Sequence, residues 1–229
     1  MEAILTGIVN LSWQLEHVVD TAQEIHERPW PNPLVPTVWH CDVTSPSLVL
    51  GSTQGIGPDI VQRAQDADVA LCRRSSGGAA VWLSPKSSLW IDVFVPVGHV
   101  AFRQDIGKAA VIVGRAWQSA LWRIGHSTAV HDGPMVKSAN SAAWCFDGLG
   151  AGEVSDLGTG GKIIGISQRR SRRGSRFQCV GYLVDDTATG RSLVELPSEE
   201  PLRSLRTLNI GSESEIVQLI SYFMAELPA

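Results

Sequence analysis

An α+β fold is the architecture this sequence predicts. Three observations carry that reading: β-rich runs joined by short turns, helical stretches set apart from one another, and no regular strand–helix–strand alternation. Leu15, Val18, Val19, Ala22 and Ile25 recur at helical spacing ahead of Pro29, which predicts an opening amphipathic helix. Four prolines within residues 29–36 then require an irregular connection. Residues 47–51 (SLVLG) form a short apolar strand, and residues 58–65 a short helix with Pro58 in its first turn. A further strand starts at residues 69–72 and breaks at Ser75, Ser76, Gly77 and Gly78. Residues 80–83 and 89–95 are dense in Val, Ile, Phe and Trp, which fit a pleated surface. The longest helix follows: Ile106, Ala109, Ala110, Val113, Trp117, Ala120, Leu121 and Ile124 share one face, and Gly125 stops it. Residues 163–167 and 177–185 read as two strands joined by an arginine-rich turn. Ile216, Leu219, Ile220 and Phe223 close the chain as a last helix, capped by Ser212 or Ser214. The glycine-rich tract 148–161 is a loop inside the domain, and with no repeat or low-complexity linker a single domain over residues 1–229 is expected.

Composition narrows the function classes. With 229 residues the chain can bury a substantial core. A hydrophobic content of 44% and a mean hydropathy of +0.05 exclude wholesale disorder. Nineteen Lys+Arg against 23 Asp+Glu leave a net charge of -4, so no basic field points to nucleic acid. No apolar run approaches the ~18 residues of a membrane span, so no membrane partner is expected. Residues 1–14 lack the basic stretch and cleavage site of a secretory leader. The four cysteines, Cys41, Cys72, Cys145 and Cys179, are too scattered for a zinc cage or a dense disulfide framework. A cytoplasmic protein with reduced thiols is expected. His17, His26, His40, His99, His126 and His131 show no helical or strand pattern of metal ligation, so no metal site is expected.

Four features are candidates for chemistry. The run Arg73, Arg74, Ser75, Ser76, Gly77, Gly78, Ala79, Ala80 and Val81 combines small residues, which let backbone N–H groups approach a ligand, with two fixed positive charges. It suits a phosphate, a carboxylate or an acyl carbonyl, and equally an ordinary glycine turn. Lys162, after two glycines and before the strand IIGISQ, is placed to set a point charge on a developing oxyanion, or is a surface lysine beside a turn. Cys145, ahead of the glycine-rich tract, is a candidate nucleophile if a nearby cation activates it, and otherwise a small buried hydrophobe. Arg169, Arg170, Arg172, Arg173 and Arg176 fall within eight residues and form either a docking patch for an acidic partner or a solvated turn. No interleaved aromatics there serve base stacking.

Taken together, these blocks resemble the catalytic domain of the biotin/lipoate protein ligase superfamily. LVLGSTQ (residues 48–54) is similar to the family's strand ending in Gly and Gln, RRSSGGAAV (73–81) to its arginine, serine and glycine loop, and GKIIGISQ (161–168) to its lysine strand. Within the superfamily, GISQRR and the following FQC look like the cysteine-dependent octanoyltransferases, and Cys145, 17 residues before Lys162, stands where their acyl-carrying cysteine lies. ATP-dependent lipoate ligases have a third glycine where this chain has Ala79, a histidine near Leu83 and a His-Gly pair at Cys179 and Val180, while the double serine Ser75–Ser76 is ligase-like.

The resemblance implies a single domain with a mixed, mostly antiparallel sheet flanked by helices and no C-terminal accessory domain. It implies an acyltransferase that places an octanoyl or lipoyl group on a lysine of a lipoyl-accepting protein domain. Cys145 would carry the acyl group as a thioester received from an acyl-carrying donor protein. Lys162 would stabilise thiolate and oxyanion, with backbone N–H groups of Gly77 and Gly78 assisting. Arg73, Arg74, Ser76, Ala79, Val81 and Trp82 would bind substrate, the last two as walls of an apolar slot. Arg169, Arg170, Arg172 and Arg173 would dock the acceptor. This chemistry requires no cofactor. The alternatives are an ATP- and Mg-dependent lipoate ligase, in which Arg74, Ser76 and Lys162 hold an acyl-adenylate, and a non-catalytic binding protein of the same fold.

Overall fold

Residues 12–229 are described by the computed structural model. In chain order they form β1 (Gln14–Asp20), α1 (Ala22–Glu27), β2 (Thr37–Val43), β3 (Ser47–Leu50), α2 (Pro58–Asp66), β4 (Ala70–Arg73), β5 (Val81–Leu83) and β6 (Ser88–Pro96). There follow α3 (Ile106–Arg123), β7 (Thr128–Val130), a 3₁₀ turn (Cys145–Asp147), β8 (Val154–Asp156), β9 (Lys162–Arg170), β10 (Gly174–Tyr182), α4 (Ala188–Leu193) and α5 (Glu213–Glu226). The leader-free reading of the first residues lies, for residues 1–11, outside the described part.

Two sheets organise the molecule. The larger has the order β1-β2-β6-β10-β9-β8-β7, and the smaller β4-β3-β5. In each sheet one pair is parallel, β1 with β2 and β3 with β4, and the remaining pairs are antiparallel. The mixed, mostly antiparallel α+β architecture expected from the sequence is therefore present. Strand alternation splits the apolar residues into two cores. Leu89, Ile91, Val93 and Val95 of β6 face α3 and α5, whereas Trp90 and Phe94 face the smaller sheet and α1. The aromatic rings of Trp117 and Phe223 stack at 4.2 Å where α3 meets α5. Across the gap between the sheets, the Tyr182 hydroxyl donates to the Trp82 carbonyl at 2.8 Å.

Sequence chemistry accounts for the element ends. Ser212 caps α5 in a capping box with Glu215, choosing between the two expected serines. Gly125, at φ +88°, follows α3 in a conformation that side chains resist.

Several expectations need correction. The opening helix is a strand followed by a short helix: β-branched Val18 and Val19 pair along β2, and Thr21 then caps α1 through the Glu24 N–H. Ile106, assigned to the buried face of α3, is 61% exposed, because it sits in the first turn beyond the packed stretch. The glycine-rich tract is not all loop, since β8 lies inside it. Among the described residues α4 is a fifth helix that the sequence did not announce. Read along the chain the histidines form no ligand pattern, but β1–β2 pairing sets His17 beside His40, and with Asp42 their side-chain donor atoms lie within 4.8 Å of one another on a partly exposed sheet edge. Among the described residues no helix is long and apolar enough to cross a membrane.

Candidate active site

A narrow, mostly apolar cleft, partly open to solvent, lies between the two sheets. Val49, Val81 and Leu83 of the smaller sheet form one wall, and Trp90, Val180 and Gly165 of the larger sheet face them. His26, Arg74, Cys145, Phe146, Ser167 and Gln178 also line it.

The Arg73–Val81 loop is shaped by its own arginine. Arg74 is 4% exposed, and its guanidinium donates to the carbonyls of Gly77 (3.0 Å), Ala79 (2.8 Å) and Val49 (3.4 Å), wrapping the loop around a buried cation. Burial pushes its pKa down, and nearby Cys145, Cys72 and Glu153 oppose that shift. Gly78 takes φ +99°, and a Cβ on Gly51 would lie 1.8 Å from the Gly78 carbonyl oxygen, so the end of β3 must be glycine for the loop to rest there. Arg73 is exposed and donates to Gly51 O at 2.8 Å. Buried Ser76 bonds Ser167 Oγ at 3.0 Å and donates to Gln178 Oε1 at 3.2 Å.

Cys145 opens the 3₁₀ turn beside this loop. Its N–H donates to Ala80 O at 2.9 Å, tying the turn to the end of the loop. Gln54 adds a second tie: its Oε1 accepts from Gly51 N at 2.9 Å, and its Nε2 donates to Ala143 O at 3.2 Å. Of the four free cysteines Cys145 alone is not buried. Burial pushes the Cys72 thiol up to about 12 and raises Cys41 and Cys179 as well, so these three are inert packing residues.

Lys162 is fully buried at the start of β9. Its Nζ donates to Cys145 O (2.9 Å) and Gly148 O (3.1 Å), pairs with Glu153 Oε2 at 2.7 Å, and lies 5.0 Å from the centre of the Phe146 ring. The Glu153 carboxylate also accepts from the N–H groups of Gly150 (2.6 Å) and Ile166 (3.1 Å). A Cβ on Gly165 would touch both the Lys162 stem and Phe146 at 3.3 Å, which explains the glycine within that strand. The structure thus brings Arg74, Ser76, Ala79, Val81, Cys145 and Lys162 together.

Trp82 does not join them. Strand alternation turns it away from the cleft, where it packs on Gly190 of α4 and donates to Asp186 at 3.1 Å, so it walls no slot. The arginine run also divides. Arg176 is buried on β10 and bonds Asp92 Oδ2 at 2.7 Å and the carbonyls of Ile25 (3.0 Å) and His26 (3.3 Å). Arg169 holds Ser75 O at 2.9 Å, Arg170 holds Gln104 O at 2.6 Å, Arg173 holds Pro31 O at 3.0 Å, and Arg172 is exposed.

Glu153 and His26 were not singled out as site residues from the sequence, whereas Gln54 is the residue that ends the LVLGSTQ block. His26 sits against Trp90, ring centres 4.7 Å apart, and Gln178 Nε2 contacts its Nδ1 at 3.0 Å. Burial, with Arg176 and Arg74 adding to it, pushes its pKa from the ordinary 6.5 to about 3. The unfolded chain therefore binds this proton more readily. The histidine's stabilising contribution is complete above pH 6.5 and is lost as pH falls toward 3. Between pH 7 and about pH 4.5, wild type should lose roughly 2 kcal/mol more stability than His26→Gln. Urea unfolding at both pH values measures this, and equal losses would refute the assignment.

The two-sheet α+β domain that carries this glycine loop, cysteine turn and buried lysine shares its fold with solved lipoate protein ligases. The archaeal bipartite lipoate protein ligase of Thermoplasma acidophilum, described with its E2 lipoyl domain, superposes with a TM-score of 0.70 at 14% identity, over 94% of this chain and 84% of that one. Lipoate-protein ligase A bound with ATP gives 0.66 at 16% identity, over 94% and 85%. LipL1 of P. falciparum in complex with lipoate gives 0.55 at 12%, over 91% and 59%. No curated protein sequence matches significantly. Residues 52–185 match the Biotin/lipoate A/B protein ligase family, and the chain belongs to that family.

Proposed function

We propose that this protein is an acyltransferase that moves an octanoyl or lipoyl group onto a lysine of a lipoyl-accepting domain through a thioester on Cys145. The observation that carries the reading is the placement of Cys145: the one cysteine that is not buried lies on an apolar cleft, in a turn whose carbonyl is held by buried Lys162. In the first half-reaction Cys145 Sγ bonds the acyl carbon, and the donor's thiol leaves with the proton. In the second, the acceptor's lysine amine attacks that carbon, a C–N bond replaces the C–S bond, and the amine's proton returns to the Cys145 sulfur. Lys162 positions the turn. Arg74 supplies positive charge at the cleft, and the Gly77–Gly78 loop beside it is the candidate source of backbone N–H donors for the oxyanion. The E2 lipoyl domain described with the Thermoplasma ligase supports a lipoyl domain as acceptor.

The ATP-dependent alternative draws support from the neighbour that binds ATP. The residues it would use fit it poorly. Arg74 gives four of its five N–H groups to backbone carbonyls, Ser76 bonds Ser167 and Gln178, and Lys162 holds Glu153 and two carbonyls, which leaves these residues few donors for an adenylate. Intact mass measurement after incubation with an octanoyl-carrier protein decides between them. One acyl increment on Cys145 without ATP is expected, and an absolute requirement for ATP would overturn the proposal.

The arginines give a separable prediction. Arg172→Glu with Arg173→Glu should slow transfer to an acidic acceptor domain roughly threefold to tenfold, less at high salt, and leave a short lysine peptide unaffected. Arg169→Glu, which frees Ser75 O, should slow both acceptors. Rates at two salt concentrations check this. Equal losses on both acceptors for the double variant would remove the docking role.

A further inference from the structure

We infer that His17, His40 and Asp42 form a binding site for one divalent transition-metal ion of the zinc class, on the outer edge of the larger sheet and apart from the acyl cleft.

Strand pairing builds the site. β1 and β2 run parallel with His17 opposite His40, so the two side chains leave the sheet on the same face. Asp42 lies two residues further along β2 and shares that face, because side chains alternate. The two imidazoles stack with ring centres 4.9 Å apart and planes inclined by 18°. That matches the spacing of neighbouring strands, roughly 4.8 Å, so the backbone itself sets the pair. Both rings aim Nε2 at the one carboxylate: His17 Nε2 lies 2.6 Å from Asp42 Oδ2, and His40 Nε2 lies 3.6 Å from Oδ1. A hydrogen bond accounts for the first contact. The second is too long for one, and a cation between the three groups joins what hydrogen bonding leaves apart.

The donor set selects the ion. Two imidazole nitrogens and one carboxylate oxygen, all within 4.8 Å of one another, suit Zn²⁺, Ni²⁺ or Cu²⁺ better than Mg²⁺ or Ca²⁺, which take oxygen ligands. Zn²⁺ bonds imidazole and carboxylate at about 2.0–2.2 Å, which sets tetrahedral donors roughly 3.3 Å apart. The side chains of His17 and Asp42 are 55% and 48% exposed, so small rotations can close the set. His40, 17% exposed, is the fixed member, since its backbone is paired on both flanks, with His17 and with Ile91 of β6. Glu213, at the start of α5, adds negative charge toward His40. Three protein ligands leave a fourth position to water.

The face separates this site from the acyl chemistry. Trp39, Cys41 and Val43 of β2 belong to the core that the two sheets share, whereas Val38 packs under α3 and α5, and His40 and Asp42 alternate onto its side. The ion thus sits across the sheet from the cleft. There it pins β1, the outermost strand of that sheet among the described residues, to β2.

The test is calorimetric titration of the full chain with Zn²⁺ alone, with Mg²⁺ as the control. One Zn²⁺ should bind per chain and raise the melting temperature, and Mg²⁺ should do neither. His17→Ala, His40→Ala and Asp42→Asn should each weaken Zn²⁺ binding by at least the roughly 10–100-fold that losing an outer partner of a metal ligand costs. His131→Ala, at the opposite edge of the sheet, should bind as wild type does. Zn²⁺ should also shield His17 and His40 together from carbethoxylation by diethyl pyrocarbonate, read by peptide mass. That measurement on wild type decides even if a variant fails to fold. No saturable Zn²⁺ binding, binding unchanged in any of the three variants, or labelling of the pair that ignores Zn²⁺ would overturn the inference, and none of these outcomes touches the thioester reading.

Discussion

Cys145→Ala should abolish acyl transfer while leaving the fold intact. The turn around Cys145 is held by backbone groups, its N–H on Ala80 O and its carbonyl on Lys162 Nζ, and neither depends on the thiol. The side chain is only partly buried at the cleft wall, so truncation opens little new cavity and should cost under about 1 kcal/mol. Removing a covalent nucleophile commonly costs roughly 10⁴-fold or more in rate. Single-turnover transfer with far-UV circular dichroism alongside measures both quantities. Appreciable turnover by the alanine variant would move the ATP-dependent reading to first place.

Lys162→Ala should be the most disruptive single substitution at the site. It removes the partner of Glu153, leaving a carboxylate that is 4% exposed with only backbone donors. It also releases the carbonyls of Cys145 and Gly148. Breaking one side of a buried ion pair costs about 3–5 kcal/mol, so the melting temperature should fall sharply. Stability and catalysis separate in the double variant Lys162→Met with Glu153→Gln, which replaces the pair by neutral groups of similar size. Its stability should largely return. If transfer stays about 10²–10³-fold down, the chemistry itself needs the charge. Recovery of the rate with the fold would make Lys162 a purely structural residue. Lys162→Arg should rescue poorly, because Gly165 and the Phe146 ring close around a slender stem and a planar guanidinium does not fit that space.

What the sequence disclosed depended on how local each signal was. Glycines, serines and arginines adjacent in residues 73–78 announce a loop, and a lysine after two glycines announces a strand start. The strands of residues 88–96 and 174–182 declare themselves by composition. The opening segment misleads because Leu15, Val18, Ala22 and Ile25 fit a helical period, while the strand beneath it depends on pairing with β2, which no local pattern reveals. Trp82, expected beside Val81 as a wall of the acyl slot, points away, because alternation along β5 leaves Val81 and Leu83 on the cleft and excludes the residue between them. Arg176 looked like one member of a solvated run until its neighbours on β10 fixed its direction toward Asp92. His26 carried no signal, since its partner Gln178 is 152 residues away. Glu153 could have been suspected: it is the one acidic residue between Gly148 and Val154, close enough to serve a lysine at the next strand.

The cleft opens within the core that the two sheets share, and the hydrogen bonds spanning it include Ser76 to Gln178, Ser76 to Ser167, Arg169 to the Ser75 carbonyl, and Tyr182 to the Trp82 carbonyl. Its width is therefore an adjustable gauge. Exchanging a residue at the seam can lengthen or shorten the acyl chain admitted while the second core, packed under α3 and α5 on the far side of the larger sheet, stays untouched. Much of the molecule's robustness resides in that far core, so a lineage could change its substrate range while keeping it.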